Sequence, residues 1–539
     1  MTEMNPDVNM GSHGNVFLEK VKQFADSVLQ YGIDRYGECV TPLFVDGLNI
    51  YTHEPVTWSV EDQEWVLSNY ANQQVLFRTF YALTQITGDV RYAQAAEKAT
   101  EYVLNHLRNG KLIAMGGHMA YDLKAKNKVF APDKGPVHEL KCHYPFYELM
   151  WSVDTQQSMQ YIDAIWEGHI LHWDTLEFSR HGVPATHSLD HEIWNQTYSG
   201  SDIPFVGRGL TFINAGSDLI YAAGMLYSLS GDKEPLRWAR RLAYRYMETR
   251  HPQTGLGGYQ FSISILPGQN GRGDRAVHQF GEQLKNHQPN ETNVMVSRQI
   301  LTMLGNVAIS RMILSERLGV EGNYFLDWAV EDLLAYAKHS YDVDNNIFHP
   351  IVTNGFRLTG LKLEQSGYYG KKGEYLKPLK AGFLLLWSYV MAYRLSNHPD
   401  LWSTARSIAK GIGLGDIGQI GEIPKLEFAH LSSDPLAIFS TLELYKVTGN
   451  SVYLSYASKI GEELLSHRFK NDFFVSDEHQ IYAKFDAVEP LALLHLVAQL
   501  RGMSEVIPNY VASNAFFGSQ YGKLGHKKDN DLFYHTLEF

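Results

Sequence analysis

The chain has 539 residues, of which 44% are hydrophobic and 20% charged, and a formal net charge of −12. These proportions are those of an ordinary globular chain. The acidic balance, with no dominant basic stripe, argues against a nucleic-acid partner, and no apolar run reaches the ~20 residues that cross a bilayer. Cys39 and Cys142 are the only cysteines, too few for a disulfide framework, and reduced thiols in a cytoplasmic protein are the simplest reading. Residues 1–15 show no basic stretch leading into an apolar one, so no secretory signal is expected.

The first predicted element is a helix over 15–31, where Phe17, Val21, Phe24, Val28 and Leu29 recur at helical spacing. Residues 36–57 are irregular, broken by Pro42, Gly47 and Pro55, and Asp46 there reads as a structural turn or cap residue. A helix–turn–helix pattern then recurs. It appears around Thr87-Gly88-Asp89, Ser230-Gly231-Asp232 and Thr448-Gly449-Asn450, and more weakly at Leu318-Gly319 and Ser396-Asn397. The glycine closes one helix in the left-handed conformation, and the following Asp or Asn turns into the next. Helix hairpins need neighbours to bury their apolar faces. Their spread along the chain predicts an all-α toroid, one catalytic unit over 1–539 with 505–539 as a surface tail packed on it. Periodicity alone leaves six or seven pairs open. Three excursions, 108–144, 252–295 and 343–379, interrupt the hairpins and are expected to form loops and small β-tongues around a groove.

The chemistry is expected between His118 and His181, where His118, His138-Glu139 and Arg180-His181 fall within one stretch. Two imidazoles and a carboxylate suit a transition metal that keeps positions open for a substrate. An adjacent arginine adds a cationic, multi-donor group. With 23 histidines in the chain, His138, His143, His169 and His172 are alternative ligands, Glu139 is an alternative catalytic acid, and a set of hydrogen-bonded histidines in a packed interior is the reading without function.

On these residues, and on Tyr36-Gly37 with Thr41-Pro42-Leu43-Phe44-Val45-Asp46-Gly47, the chain resembles the family 2 pectate lyases over most of its length. The resemblance implies an (α/α)7 barrel and a divalent metal, most simply Mn2+ with Ni2+ or Co2+ able to substitute, held by His118, Glu139 and His181. It implies Arg180 as the base. The reaction implied is β-elimination on α-1,4-linked oligogalacturonides or polygalacturonate, giving 4,5-unsaturated products, with exo action suited to short oligomers in the cytoplasm. Arginine is normally protonated, so the base role requires positive charge beside Arg180, and an alkaline activity optimum follows. The alternative role for Arg180 is to bind the uronate carboxylate while a water takes the proton.

Lys141, Arg208, Arg272 and Arg275 are candidate uronate-binding cations. Trp173, Trp194 and Tyr198 are candidate stacking residues in a chain with 13% aromatic residues, with core packing as the competing role for each. A −12 chain repels a polyanion at long range, so the groove must be locally positive. The alternative functions are an α/α-toroid hydrolase or uronyl hydrolase, built on two carboxylates drawn from Asp46, Glu139, Asp190 and Glu192, a sugar epimerase, and a non-enzymatic helical scaffold.

Overall fold

The hairpin turns set the architecture. Gly88, Gly231 and Gly449 take φ of +74°, +79° and +66° at helix C-termini, and Asn397 does so at +57°. Asp89, Asp232 and Asn450 follow these glycines and accept the backbone N–H two residues on. Each such turn satisfies a spent helix end and starts the next helix within two or three residues.

The computed structural model describes residues 6–60, 62–109, 112–113, 116–131, 135–182, 191–200, 206–207, 209–261, 263–264, 294–295, 297–366, 369–511, 518–520 and 526–528. The principal helices are α1 (Pro6–Ser27), α2 (Gln74–Thr87), α3 (Val90–His106), α4 (Tyr147–Val153), α5 (Thr155–His169), α6 (Ile213–Ser230), α7 (Lys233–Met247), α8 (Ala308–Leu318), α9 (Asn323–His339), α10 (Phe383–Ser396), α11 (Pro399–Gly411), α12 (Pro435–Thr448), α13 (Val452–Arg468) and α14 (Val488–Leu500). The even-numbered helices form an inner ring. Burial runs nearly unbroken in the longer ones, as in α6 from Ile213 to Leu226, the behaviour of a helix covered on all sides, while short α4 buries Tyr147, Leu149 and Met150. The odd-numbered helices lie outside and bury one face, as in α7.

Among the described residues this makes seven helix pairs. Six are the sequential hairpins α2/α3 to α12/α13. In the seventh, α14 packs on α1, and α14 also packs on α2 and α12, which closes the ring. The sequence pattern missed two pairs for physical reasons. The α4/α5 turn has no glycine, and Asp154 alone caps α5 by accepting from Gln157 N at 2.8 Å. The α1/α14 pair joins opposite ends of the chain and leaves no local turn to read.

The two mouths differ. Inner-to-outer connections are short, from 154 alone to 319–322, whereas outer-to-inner connections carry every long excursion. Most of the small strands lie on that second mouth. The largest sheet there is antiparallel, in the order His526–Lys528, Gly518–Gln520, Thr57–Val60, Gln63–Ser68, Met119–Asp122, Asn127–Phe130. The described part of the tail joins the sheet by backbone pairing through Gly518–Gln520, and Tyr510, near its start, stacks on Trp387 and Phe439. In the 252–295 excursion only Ile263–Ser264 and Val294–Met295 are described strands, and the rest of its expected β-tongue lies mostly outside the described residues. Asp46 is structural: buried, it accepts from Asn69 N at 2.8 Å and Asn72 Nδ2 at 3.2 Å, fixing the entry to α2.

Nothing lies within 4 Å of a Cβ built on Gly231. Gly231→Ala is therefore expected to cost only the left-handed backbone penalty, about 1 kcal/mol, read as a lower urea midpoint with an unchanged slope.

Candidate metal centre

Strand register assembles the site. His138–Glu139 pairs antiparallel with His181–Gly182, with Glu139 directly opposite His181, and Leu140 N donates to Arg180 O at 3.0 Å. Opposed residues of an antiparallel pair project to the same face, so the pairing brings Glu139 beside His181. His118 arrives from the neighbouring sheet, just before Met119–Asp122. His118 Nε2 stands 3.3 Å from His181 Nε2 and 3.3 Å from Glu139 Oε2, and His181 Nε2 is 3.7 Å from Glu139 Oε1. Arg180 Nη2 lies 3.5 Å from Glu139 Oε1, and its guanidinium sits 5.5 Å from the Phe212 ring centroid.

These three residues fit a divalent ion. Among the described residues they are the group whose ligand atoms, all within 4.8 Å of one another, could hold one. Two donors about 2.1 Å from a common ion stand roughly 3.0–3.4 Å apart at octahedral to tetrahedral angles. Glu139 is 1% exposed, yet among the described residues its Oε2 has no hydrogen-bond partner, a costly condition that a cation would relieve. Burial raises the Glu139 carboxyl, but the His181 hydrogen bond and the fields of Lys141, His118 and Arg180 outweigh it and hold the group well below the carboxylate range. Burial pushes His118 down to about 4, leaving the neutral imidazole that can ligate.

The other histidines divide by role. His169 Nδ1 lies 2.7 Å from Ser179 O, and His169 Nε2 lies 2.8 Å from His138 Nδ1. A carbonyl only accepts, so His169 donates through Nδ1 and accepts at Nε2 from His138 Nδ1–H. This buried chain ties the His138–Glu139 strand to the Ser179–Gly182 segment. His143 is buried with Nε2 unpartnered among the described residues, and His172 faces Glu177 at 3.8 Å.

Of the candidate substrate cations, Lys141 contributes its charge to Glu139, while Arg208, Arg272 and Arg275 lie outside the described residues. Asp190 and the side chain of Glu192 do so too. Trp173 packs between Trp166 and Trp238, at 6.0 and 5.0 Å. Trp194 donates to Asp163 Oδ1 at 2.9 Å, and Tyr198 lies 6.0 Å from Trp238. One aromatic cluster thus accounts for the packing of all three.

Two supports escaped the sequence reading. A Cβ on Gly117 would stand 2.1 Å from Glu139 Oε2, so the carboxylate rests against a bare backbone. Asp218 of α6 accepts from His143 N at 2.6 Å and Tyr144 N at 3.3 Å, fixing the segment that leads from Glu139 into α4. A Gly-Gly pair before a histidine was the only sequence signal for the first. Nothing local marked the second.

The comparisons with known proteins give the family of the chain. The family described as periplasmic pectate lyase matches residues 41–520. The chain is 30% identical over 536 residues to a protein named pectate disaccharide-lyase from Dickeya dadantii (strain 3937), covering 95% of this chain and 93% of that one. Among solved structures, a sugar epimerase from a ruminal bacterium aligns at a TM-score of 0.45 and 9% identity, covering 89% of this chain and 98% of that one. An unsaturated glucuronyl hydrolase specific for heparin aligns at 0.42 and 11%, covering 90% and 98%.

Two predictions follow from the supports. Gly117→Ala should displace the Glu139 oxygen and weaken metal binding by about tenfold or more, read by titration calorimetry. Burial pushes Asp218 up to about 7, whereas an unfolded aspartate titrates near about 4. Between these values the unfolded state releases a proton that the folded state keeps, so stability should fall as pH rises from about 4 to 7. Asp218→Asn should flatten that fall in thermal melts across the same window.

By family match and by relative, the chain belongs to the family described as periplasmic pectate lyase, and it is a polysaccharide lyase that degrades pectate.

Proposed function

We propose that this lyase cleaves α-1,4-linked oligogalacturonides by metal-assisted β-elimination, acting from a chain end. The observation that carries the reading is the convergence of His118, Glu139 and His181 beside Arg180. His118 and His181 supply neutral nitrogens and Glu139 one negative charge, so the centre keeps net positive charge toward a uronate. That mixed donor set suits manganese or a neighbouring transition metal better than calcium, which prefers oxygen. A divalent ion held there supplies Lewis-acid neutralisation of the uronate carboxylate, which acidifies the proton on C5.

In this reading Arg180, in its neutral form, removes that proton, and the hydroxide left when water protonates the leaving oxygen returns it to the neutral form. The C5–H electrons become the C4–C5 double bond, the bond from C4 to the glycosidic oxygen breaks, and the leaving oxygen takes a proton from water. The products are a 4,5-unsaturated uronate and a shortened saturated chain. The ion pair between Arg180 and Glu139 favours a second role for the same residue, in which the guanidinium grips the substrate carboxylate and a water takes the proton.

Among the described residues no helix is long and apolar enough to cross a membrane. The family description says periplasmic, whereas the free thiols of exposed Cys39 and buried Cys142 suit a reducing compartment. We favour the cytoplasm, where the substrates are short oligomers and exo action is the useful mode.

Arg180→Lys tests the assignment. Turnover of trigalacturonate should fall by at least about 10³-fold, with metal affinity within about threefold of the parent. Loss of metal in that variant would make Arg180 a support of the centre, and retained turnover would remove it from the reaction.

A further inference from the structure

The connection from α9 to α10 projects from the same mouth as the metal centre, and it carries a charge opposite to that of the whole chain. Between residues 351 and 380 stand six cations, Arg357, Lys362, Lys371, Lys372, Lys377 and Lys380, against two acids, Glu364 and Glu374, in a chain whose formal net charge is −12. All six cations are exposed. The Glu374 carboxylate is engaged on its own loop, where it accepts Lys371 N at 2.8 Å.

The described residues of this segment, 351–366 and 369–380, hold one another in place. Val352, Leu358, Leu363 and Leu376 form a small core of their own, apart from that of the barrel. Leu363 N donates to Glu374 O at 2.8 Å and Leu376 N to Leu361 O at 2.9 Å, which makes the segment a hydrogen-bonded tongue. Lys362 and Tyr375 are bridge partners across it, so their side chains leave the same face side by side. Tyr375 is 57% exposed, so much of its ring is open to solvent beside Lys362. An open aromatic face beside an ammonium group matches a uronate: the C–H face of the sugar lies on the ring, and the carboxylate meets the cation.

We propose that this tongue, residues 351–366 and 369–380, is a docking surface for the part of an oligogalacturonide that extends beyond the metal centre. In it Tyr375 and Lys362 receive one uronate, and Lys371, Lys372, Lys377 and Lys380 attract its neighbours. The proposal rests on the pectate reading above. It reconciles an acidic enzyme with an acidic substrate by placing a cluster of positive charge on one projecting element at the working mouth.

The test is the Tyr375→Ala/Lys362→Ser variant of the full chain, whose changes are both on the surface. Steady-state kinetics on trigalacturonate and on polygalacturonate would be combined with gel retardation by immobilised polygalacturonate and by heparin. The loss of kcat/KM on polygalacturonate should exceed that on trigalacturonate by about tenfold, carried by KM and shrinking at about 0.3 M salt. Retardation should fall with polygalacturonate and not with heparin. Equal losses on the two substrates, or no change on the polymer, would overturn the proposal. So would an equal fall in heparin retardation, which would mark a general polyanion surface. If the parent protein makes no unsaturated product, the lyase chemistry fails while the retardation result still decides the docking.

Discussion

The centre depends on one short antiparallel pairing, His138–Glu139 with His181–Gly182. Its register sets Glu139 opposite His181, and its continuation bonds Leu140 N to Arg180 O. A slip of one residue would send Glu139 to the other face and put His138 in its place. The buried His169–His138 contact, itself anchored on Ser179 O, ties the same two segments a second time. With that pairing fixed, His118 needs only the Met119–Asp122 sheet to reach the cluster, and Arg180 is carried beside it by sequence adjacency.

The toroid explains why such a pairing is available. Inner-to-outer turns are short and spend their residues on helix caps. Outer-to-inner connections must cross a wider gap, so all long segments emerge at one mouth. Distant stretches meet there as paired strands over a rigid ring, and a functional centre can be built from loops without disturbing the helices. Asp218, on an inner helix, reaches up to the His143 and Tyr144 backbone and couples that mouth to the ring.

Much of this was legible in the sequence because it is local. The hairpin turns at Gly88, Gly231 and Gly449 announce themselves through a left-handed glycine and the capping residue after it. The cluster His118, Glu139 and His181 was readable through family resemblance, and the structure brings the three together. What was not legible is non-local. The α1/α14 closure, the support of Glu139 by the Gly117 backbone, the His138–His169 chain and the Asp218 contact all join residues far apart in sequence or through backbone geometry. Trp173, Trp194 and Tyr198 show the same limit, because an aromatic's partners, here Trp166 and Trp238, decide between packing and stacking. The repeat count stayed open because one hairpin turns on Asp154 without a glycine and another is closed by the chain's two ends.

The central claim is that the three-residue cluster holds an ion without which elimination does not occur. It is tested by following the ultraviolet absorbance of 4,5-unsaturated uronate when metal-stripped protein meets trigalacturonate, before and after manganese is added. The account predicts absorbance only after the addition. Equal absorbance without metal would remove the ion from the reaction, and cleavage to saturated sugars without absorbance would contradict elimination itself.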